Sequence, residues 1–130
     1  MIVVDSSTIL EILLRTAVAP SIEARIFSRR ETLHAPFLID LEIAQVLRRY
    51  VLARRMTSDR GLEAIYDFLD LPIERYPHEL LLERIWELRK NMTAYDAAYV
   101  ALAESLSAPL VTRDGRLKAS RAHHADIEVL

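Results

Sequence analysis

The sequence predicts an α/β domain of three layers, in which a parallel sheet of about five strands is covered by helices on both faces. Short apolar runs alternate along the 130-residue chain with longer segments whose apolar residues recur at helical spacing. The strands of a parallel sheet are buried on both faces and are therefore apolar throughout, as several of these runs are. Alternating strands and helices favour a parallel sheet with helical crossovers. We expect a single domain over residues 1–130.

Five segments have the composition of strands. The first is an apolar run of largely β-branched residues, the second stops at Pro36, and the third alternates in polarity. A proline is expected to end the second strand because it has no N–H to donate to the ladder. The predicted strands cover residues 1–4, 33–35, 73–76, 109–112 and 126–130.

Seven segments have the pattern of helices. Several begin at a residue that caps helices well, such as Thr57 and Thr93. The helix from Thr57 has Leu62, Ile65 and Leu69 on one face and stops at Pro72. The predicted helices cover residues 6–15, 20–29, 40–54, 57–71, 78–90, 94–106 and 115–121.

Composition excludes several classes of function. The chain has no cysteine, which rules out disulfides, thiolate zinc sites and a cysteine nucleophile. Its two glycines, Gly61 and Gly115, cannot form a phosphate-binding P-loop or a dinucleotide fingerprint. The net charge of −2 gives no support to nucleic-acid binding by the chain as a whole. Binding of a polyanion would have to depend on local basic groups.

The longest apolar run indicates that the chain does not interact with a membrane. It covers residues 97–103, far fewer than the about 20 that a membrane-spanning helix needs. The first residues include Asp5 and Glu11 and no early basic residue, which is unlike a secretion signal. We therefore expect a cytoplasmic protein.

Acidic residues follow the predicted strands at the places where α/β sheets carry their sites. Asp5 comes directly after the first strand, and Asp114 comes just after the strand at 109–112. Glu42 and Asp96 fall in the first turns of two predicted helices. Functional sites of open α/β sheets lie beyond the carboxyl ends of the strands. The sequence therefore predicts a cluster of four carboxylates at this edge.

Such a cluster predicts a bound cation. Neighbouring carboxylates raise one another's pKa, and a metal ion removes that penalty. Ligand sets made only of oxygen favour Mg²⁺ or Mn²⁺ over zinc. Ions of this kind activate water and stabilise the leaving oxygen in phosphodiester hydrolysis.

Four segments resemble those of a known family. They are Ile2-Val3-Val4-Asp5-Ser6-Ser7, the stretch at 39–42, the stretch at 93–104 that contains Tyr95-Asp96-Ala97-Ala98-Tyr99, and Leu110-Val111-Thr112-Arg113-Asp114. Together and in this order they resemble the motifs of PIN-domain nucleases, and most of all those of VapC toxins of toxin–antitoxin pairs. The resemblance extends over the whole chain.

The resemblance implies a site and a function. It implies that Asp5, Glu42, Asp96 and Asp114 bind Mg²⁺, with Mn²⁺ as a substitute, and that Thr112 lies beside them in the catalytic site. It also implies an endoribonuclease with an RNA substrate, a homodimer and a cognate VapB-type antitoxin.

Each acid also has a purely structural interpretation. Asp96 stands three residues after Thr93, the spacing of a capping box. Glu42 would complement the dipole of its helix, Asp114 and the glycine after it form a common turn pair, and Asp5 resembles a helix cap. The predicted convergence of all four at one edge favours the metal site over these separate roles.

Predictions for other polar residues are simpler. Asp40 is expected to cap the helix that follows it, and the adjacent histidines at 123–124 are expected to face solvent. Arg113 and Arg116 flank Asp114 and are suited to contact an RNA backbone.

The sequence argues against two alternative functions and leaves a third open. A phosphotransferase with a nucleophilic first-strand aspartate would need a second aspartate where Ser7 stands. A signalling receiver domain would need a lysine after a late strand, and Lys90 and Lys118 are poorly placed for it. A module of the same fold that binds metal or RNA without catalysis would retain all four acids.

Overall fold

A computed structural model describes residues 1–28 and 30–130 of the chain. Five strands form one sheet in the order β3-β2-β1-β4-β5, and every neighbouring pair is parallel. The predicted fold class is therefore confirmed. The strands are β1 (Ile2–Val4), β2 (Leu33–Pro36), β3 (Ile73–Tyr76), β4 (Leu110–Thr112) and β5 (Ile127–Val129).

Helices connect the strands and cover both faces of the sheet. All three residues of β1 are fully buried, and because successive side chains of a strand point to opposite faces, both faces must be covered there. Helices α1 to α4 pack mainly on one another and on β2 and β4, whereas α6 packs on β1, β2 and β4 and carries α5. The helices are α1 (Ser6–Leu13), α2 (Ala19–Ile26), α3 (Leu38–Leu52), α4 (Ser58–Asp70), α5 (Leu82–Glu87), α6 (Ala94–Leu106) and α7 (Gly115–Ala119).

β2 continues one residue further than predicted. Pro36 belongs to the strand and lies opposite Tyr76 of β3. The next residue, Phe37, donates its N–H to the carbonyl of Tyr76 at 2.8 Å, so the hydrogen bonding to β3 continues past the proline.

The beginning of α3 corrects the prediction for Asp40. The helix starts at Leu38, so Asp40 lies in its first turn and does not cap it. The carboxylate of Asp40 instead accepts a hydrogen bond from Arg75 Nε at 2.6 Å. The earlier start also moves Glu42 from the first turn of α3 to the second, which weakens the argument that its charge complements the helix dipole.

Two of the three apolar residues that predict α4 face outward, whereas Ile65 packs against the core. Leu62 and Leu69 are exposed, whereas the buried face of the helix consists of Gly61, Ala64 and Phe68. Helical spacing identified the helix correctly, but the smaller residues pack on the core.

The segment predicted as one helix over 78–90 divides in two. A 3₁₀ turn, Glu79–Leu81, precedes the short helix α5. His78 lies outside both, and its Nε2 accepts the N–H of Leu38 at 2.9 Å, so it caps the start of α3. Leu81 and Leu88 are buried as the pattern predicts.

The remaining differences are short changes at the ends of elements. Helix α1 ends at Leu13 and α7 ends at Ala119, earlier than predicted, and the predicted end of α2 at Arg29 lies outside the described residues. No helix among residues 1–28 and 30–130 combines the length and the apolar composition that crossing a bilayer requires.

Candidate carboxylate site at the edge of the sheet

Asp5 lies at the end of the central strand and is held by neutral donors. It is only 7% exposed and caps α1. Its Oδ1 accepts the N–H of Thr8 at 3.0 Å and the hydroxyl of Ser7 at 2.7 Å, and its Oδ2 accepts the hydroxyl of Thr112 from β4. The carboxylate is thereby fixed in one orientation.

Thr112 links the ends of β1 and β4. Its side chain is fully buried, and while its hydroxyl donates to Asp5 it accepts the N–H of Asp114 at 2.9 Å. This agrees with the predicted place of Thr112 beside the acids. One threonine thus contacts the carboxylate of Asp5 and the backbone of Asp114.

Asp114 is paired with a cation of the chain itself. It caps α7 by accepting the N–H of Arg116 at 3.0 Å. The guanidinium of Arg116 also contacts both carboxylate oxygens, with Nη2 at 2.6 Å from Oδ2. These hydrogen bonds from Arg116 lower the pKa of Asp114.

Glu42 reaches the site from α3. Its Oε1 accepts the hydroxyl of Tyr99 at 2.5 Å. Burial raises the pKa of Glu42, and the charges of Asp5 and Asp96 raise it further. Tyr99 was not singled out from the sequence, although it stands three residues after Asp96 on α6 and so shares its face of the helix.

Asp96 lies in the first turn of α6. Thr93 caps this helix by accepting the N–H of Asp96 at 3.2 Å, so the cap depends on the backbone of Asp96. Burial raises the pKa of the Asp96 carboxyl, and the negative charge of Asp114 is the next largest cause. The carboxylate therefore lies in an environment that disfavours its ionised form.

The four predicted acids lie together at the carboxyl edge of the sheet and act on one another electrostatically. Asp5 raises the pKa of both Glu42 and Asp96, and Asp114 raises that of Asp96. In the part of the chain that the structure describes, no three carboxylate or imidazole groups converge closely enough to hold one ion. Each of three acids instead has its own hydrogen-bond donor, which is Thr112 for Asp5, Tyr99 for Glu42 and Arg116 for Asp114.

Two clefts border this edge. A cavity of about 640 Å³ lies between α1, α3 and the start of α6, and Glu42 and Tyr95 are among its lining residues. A smaller cleft of about 220 Å³ includes Asp96, Arg116 and Asn91. Of the four acids, Glu42 therefore lines the larger groove and Asp96 lines the smaller cleft.

The arginines and histidines singled out from the sequence differ in their surroundings. Arg116 holds Asp114, whereas the side chain of Arg113 donates to the carbonyl of Leu130. His124 is exposed as predicted. The prediction for His123 is wrong, because its ring is half-buried and its Nε2 lies 2.9 Å from the carbonyl oxygen of Leu117.

Comparison with known proteins identifies the family. The model of the PIN domain family matches residues 2–122. The chain belongs to the PIN domain family. This PIN domain is 40% identical over 130 residues to Ribonuclease VapC12 of Mycobacterium tuberculosis, covering 100% of this chain and 99% of the relative. It is 47% identical over 117 residues to Ribonuclease VapC9 of the same species, covering 90% of this chain and 88% of the relative. These similarities confirm a PIN domain of the VapC type.

A solved structure supports the fold independently. The PIN domain superposes with a TM-score of 0.74 on a chain from the crystal structure of VapBC2 from Rickettsia felis bound to a DNA fragment from its promoter. The alignment covers 99% of this chain and 98% of the other at 13% identity. At that identity the similarity establishes the common fold.

Proposed function

We propose that this PIN domain is a metal-dependent endoribonuclease, the toxin of a toxin–antitoxin pair, acting on RNA in the cytoplasm. The observation that carries the proposal is the group of four acids at the carboxyl edge of the sheet, Asp5, Glu42, Asp96 and Asp114, two of which have raised pKa values. The relatives named as VapC ribonucleases support the same activity.

The donor set fits Mg²⁺ or Mn²⁺. All four acids offer oxygen ligands, which these ions prefer. Burial and the negative charges of neighbouring acids disfavour the ionised forms of Glu42 and Asp96, and a divalent cation bound at this edge would offset that cost. We propose that Asp5, Asp96 and Asp114 become direct ligands when a bound ion draws their carboxylates together, and that Glu42 holds a second ion or the attacking water.

Each neighbouring group then has a defined task. A cation, when bound, would supply an activated water and would stabilise negative charge on the phosphate oxygens. Thr112 and Ser7 hold the Asp5 carboxylate so that its orientation does not change during the reaction. Tyr99 fixes Glu42 in the same way. Arg116 lies at the rim, where its guanidinium is suited to contact a phosphate of the RNA backbone.

A cleavage assay tests the proposal. We expect RNA cleavage to stop in excess EDTA and to return with Mg²⁺ or Mn²⁺. Attack by water needs no 2′-hydroxyl, so the products should carry 5′-phosphate and 3′-hydroxyl ends. Full activity in EDTA would exclude the metal mechanism, and 2′,3′-cyclic phosphate ends would show that the 2′-hydroxyl of the RNA is the nucleophile.

We propose a VapB-type antitoxin as the protein partner and a homodimer as the active assembly. The similarity to a chain of a structure named VapBC2 supports the first. Leu82 and Trp86, one turn apart on α5, are exposed, and large exposed apolar side chains support an assembly of some kind. Light scattering of the chain alone and with its antitoxin measures both stoichiometries.

One observation favours a second candidate function, a module of the same fold that binds RNA or metal without catalysis. Arg116 engages both oxygens of Asp114 and so competes with any cation for that ligand. A protein that binds RNA tightly and leaves it intact with Mg²⁺ and Mn²⁺ present would favour this alternative.

A further inference from the structure

The groove beside the acids contains an aromatic ring that the proposed chemistry does not use. Tyr95 precedes Asp96 on α6, and its side chain is 66% exposed. It lines the cavity of about 640 Å³, which lies in the size range of ligand pockets. An exposed tyrosine adjacent to a proposed metal ligand is well placed to contact whatever reaches the acids.

The other walls of this groove have the chemistry of a nucleotide site. Leu10, Leu38 and Leu41 supply apolar surface, while Gln45 and Arg49 supply an amide and a guanidinium. Both of these polar residues are exposed to solvent. A base has apolar faces and polar edges, and a phosphate is matched by arginine.

The direction and length of the groove also suit a single strand of RNA. Glu42 and Arg49 both line it and are separated by two turns of α3, about 10 Å along the helix axis. Stacked nucleotides rise by about 3.4 Å. An RNA strand that leaves the acids along α3 would place a base against Tyr95 and a following phosphate near Arg49.

We propose that Tyr95 stacks on an unpaired RNA base next to the cleaved phosphate and that Arg49 binds the backbone beyond it. This inference rests on the proposed ribonuclease function and adds a positioning residue for single-stranded RNA. Recognition of splayed bases by aromatic rings is the usual means of selecting single-stranded RNA, and it tolerates any base because each has a π face.

The test compares RNA binding and cleavage by Tyr95→Ala and Tyr95→Phe. We expect the alanine variant to bind a fluorescently labelled single-stranded RNA about tenfold more weakly in EDTA, and to raise KM for cleavage in Mg²⁺ by a similar factor with kcat near that of the parent. The phenylalanine variant should behave as the parent does, because it retains the ring. Tyr66→Ala is the control, since Tyr66 is 59% exposed on α4 and lines none of the clefts described above.

Oligonucleotides that lack one base at a time add a second measurement. In the parent, one abasic position next to the cleaved phosphate should weaken binding about as much as Tyr95→Ala does, and the two changes together should cost little more than either alone. The proposal would be overturned if the abasic position weakened RNA binding equally in the parent and in Tyr95→Ala. It would also be overturned if Tyr95→Ala had the RNA affinity and the KM of the parent. Loss of binding to the antitoxin alone would identify the groove as a protein site and would also overturn it.

These results separate the two proposals. If the parent binds RNA through Tyr95 and never cuts it, the nuclease proposal fails and the stacking proposal stands. If the parent cuts RNA and Tyr95→Ala binds and cuts it equally well, the stacking proposal fails and the nuclease proposal stands.

Discussion

Asp5 and Asp114 occupy matching places in the fold but have different surroundings. Each follows one of two adjacent strands, β1 or β4, and each caps the helix that comes next. Asp5 is buried and is held only by neutral donors, whereas Asp114 is partly exposed and is paired with Arg116. Topology therefore brings both carboxylates to one edge, but neighbouring side chains decide how available each one is to a metal ion.

The charges of both Asp5 and Asp114 raise the pKa of Asp96. We expect substitution of Asp96 to have the largest effect. Asp96→Asn keeps the backbone N–H that Thr93 accepts and removes the charge that burial and Asp114 disfavour. Cleavage should fall by orders of magnitude, while the melting temperature without metal should stay the same or rise. Mg²⁺ should then stabilise the variant less than the parent, because that stabilisation follows affinity for the native state.

Asp59→Asn is the matched control for this substitution. Asp59 also lies in the first turn of a helix capped by a threonine, α4 with Thr57. This control should leave cleavage and the Mg²⁺ effect unchanged. If Asp96→Asn melts lower without metal and still cuts RNA at the parental rate, Asp96 has only a structural role.

The next largest effect should separate Asp5 from Asp114 in stability. Asp5→Ala leaves the N–H of Thr8 and the hydroxyls of Ser7 and Thr112 without their acceptor, and should lower the free energy of unfolding by about 3 kcal/mol. Asp114→Ala removes a cap from a short helix and should cost about 1 kcal/mol. Urea denaturation in EDTA measures both values. Equal losses of stability in the two variants would show that burial does not distinguish Asp5 from Asp114.

Arg116→Ala should make the carboxylate of Asp114, which follows β4, more available to a cation. Without the guanidinium, both oxygens of Asp114 are released, and affinity for Mg²⁺ should rise about two- to fivefold, the range of a surface ion pair. RNA affinity should fall at the same time if Arg116 also contacts the backbone. Lys118→Ala removes a positive charge from the same helix and is the control. Equal Mg²⁺ affinity in the parent and in Arg116→Ala would show that the pair does not compete with metal.

The smallest effect concerns pH. The folded pKa of Asp114 is lowered by Arg116, so its contribution to stability is present above the unfolded pKa of about 3.9 and is lost as the pH falls through the folded value. Glu42 and Asp96 have raised folded pKa values, so their ionisation lowers stability as the pH rises from about 4 through those values.

Denaturation in EDTA over this pH range should reveal both pH dependences of the free energy of unfolding. We expect Glu42→Gln to remove part of the loss of stability at higher pH and Asp114→Asn to remove part of the loss under acid conditions. A Glu42→Gln profile identical to that of the parent would contradict the raised pKa of Glu42.

The pattern of strands in the sequence predicts that the acids lie at one edge of the sheet. The hydrogen-bond donors of these acids depend instead on tertiary contacts. Asp5 and Asp114 could be placed because each follows a recognisable strand. The contact from Thr112 to Asp5 joins residues 107 positions apart, and that from Tyr99 to Glu42 joins residues 57 apart. Periodicity within one helix carries no information about such contacts.

The errors in the sequence predictions have a similar cause. Aspartate is a residue type that often caps helices, which led to the prediction for Asp40. The start of α3 is instead capped by His78, which is 40 positions away. Leu62 and Leu69 of α4 are larger and more apolar than Gly61 and Ala64, but packing against the rest of the fold places the two smaller residues on the core face. Local propensity predicted the elements, and packing between distant segments set their ends and orientations.

A calorimetric titration with Mg²⁺ or Mn²⁺ tests the central claim most directly, because it measures ion binding by the carboxylates without RNA. The parent should bind the ion saturably, with proton release at a pH where Glu42 and Asp96 are partly protonated. Asp5→Asn and Asp96→Asn should lose most of this binding, and Asp59→Asn should retain it. The absence of saturable binding in the parent, or parental binding in Asp96→Asn, would contradict a metal site formed by these acids.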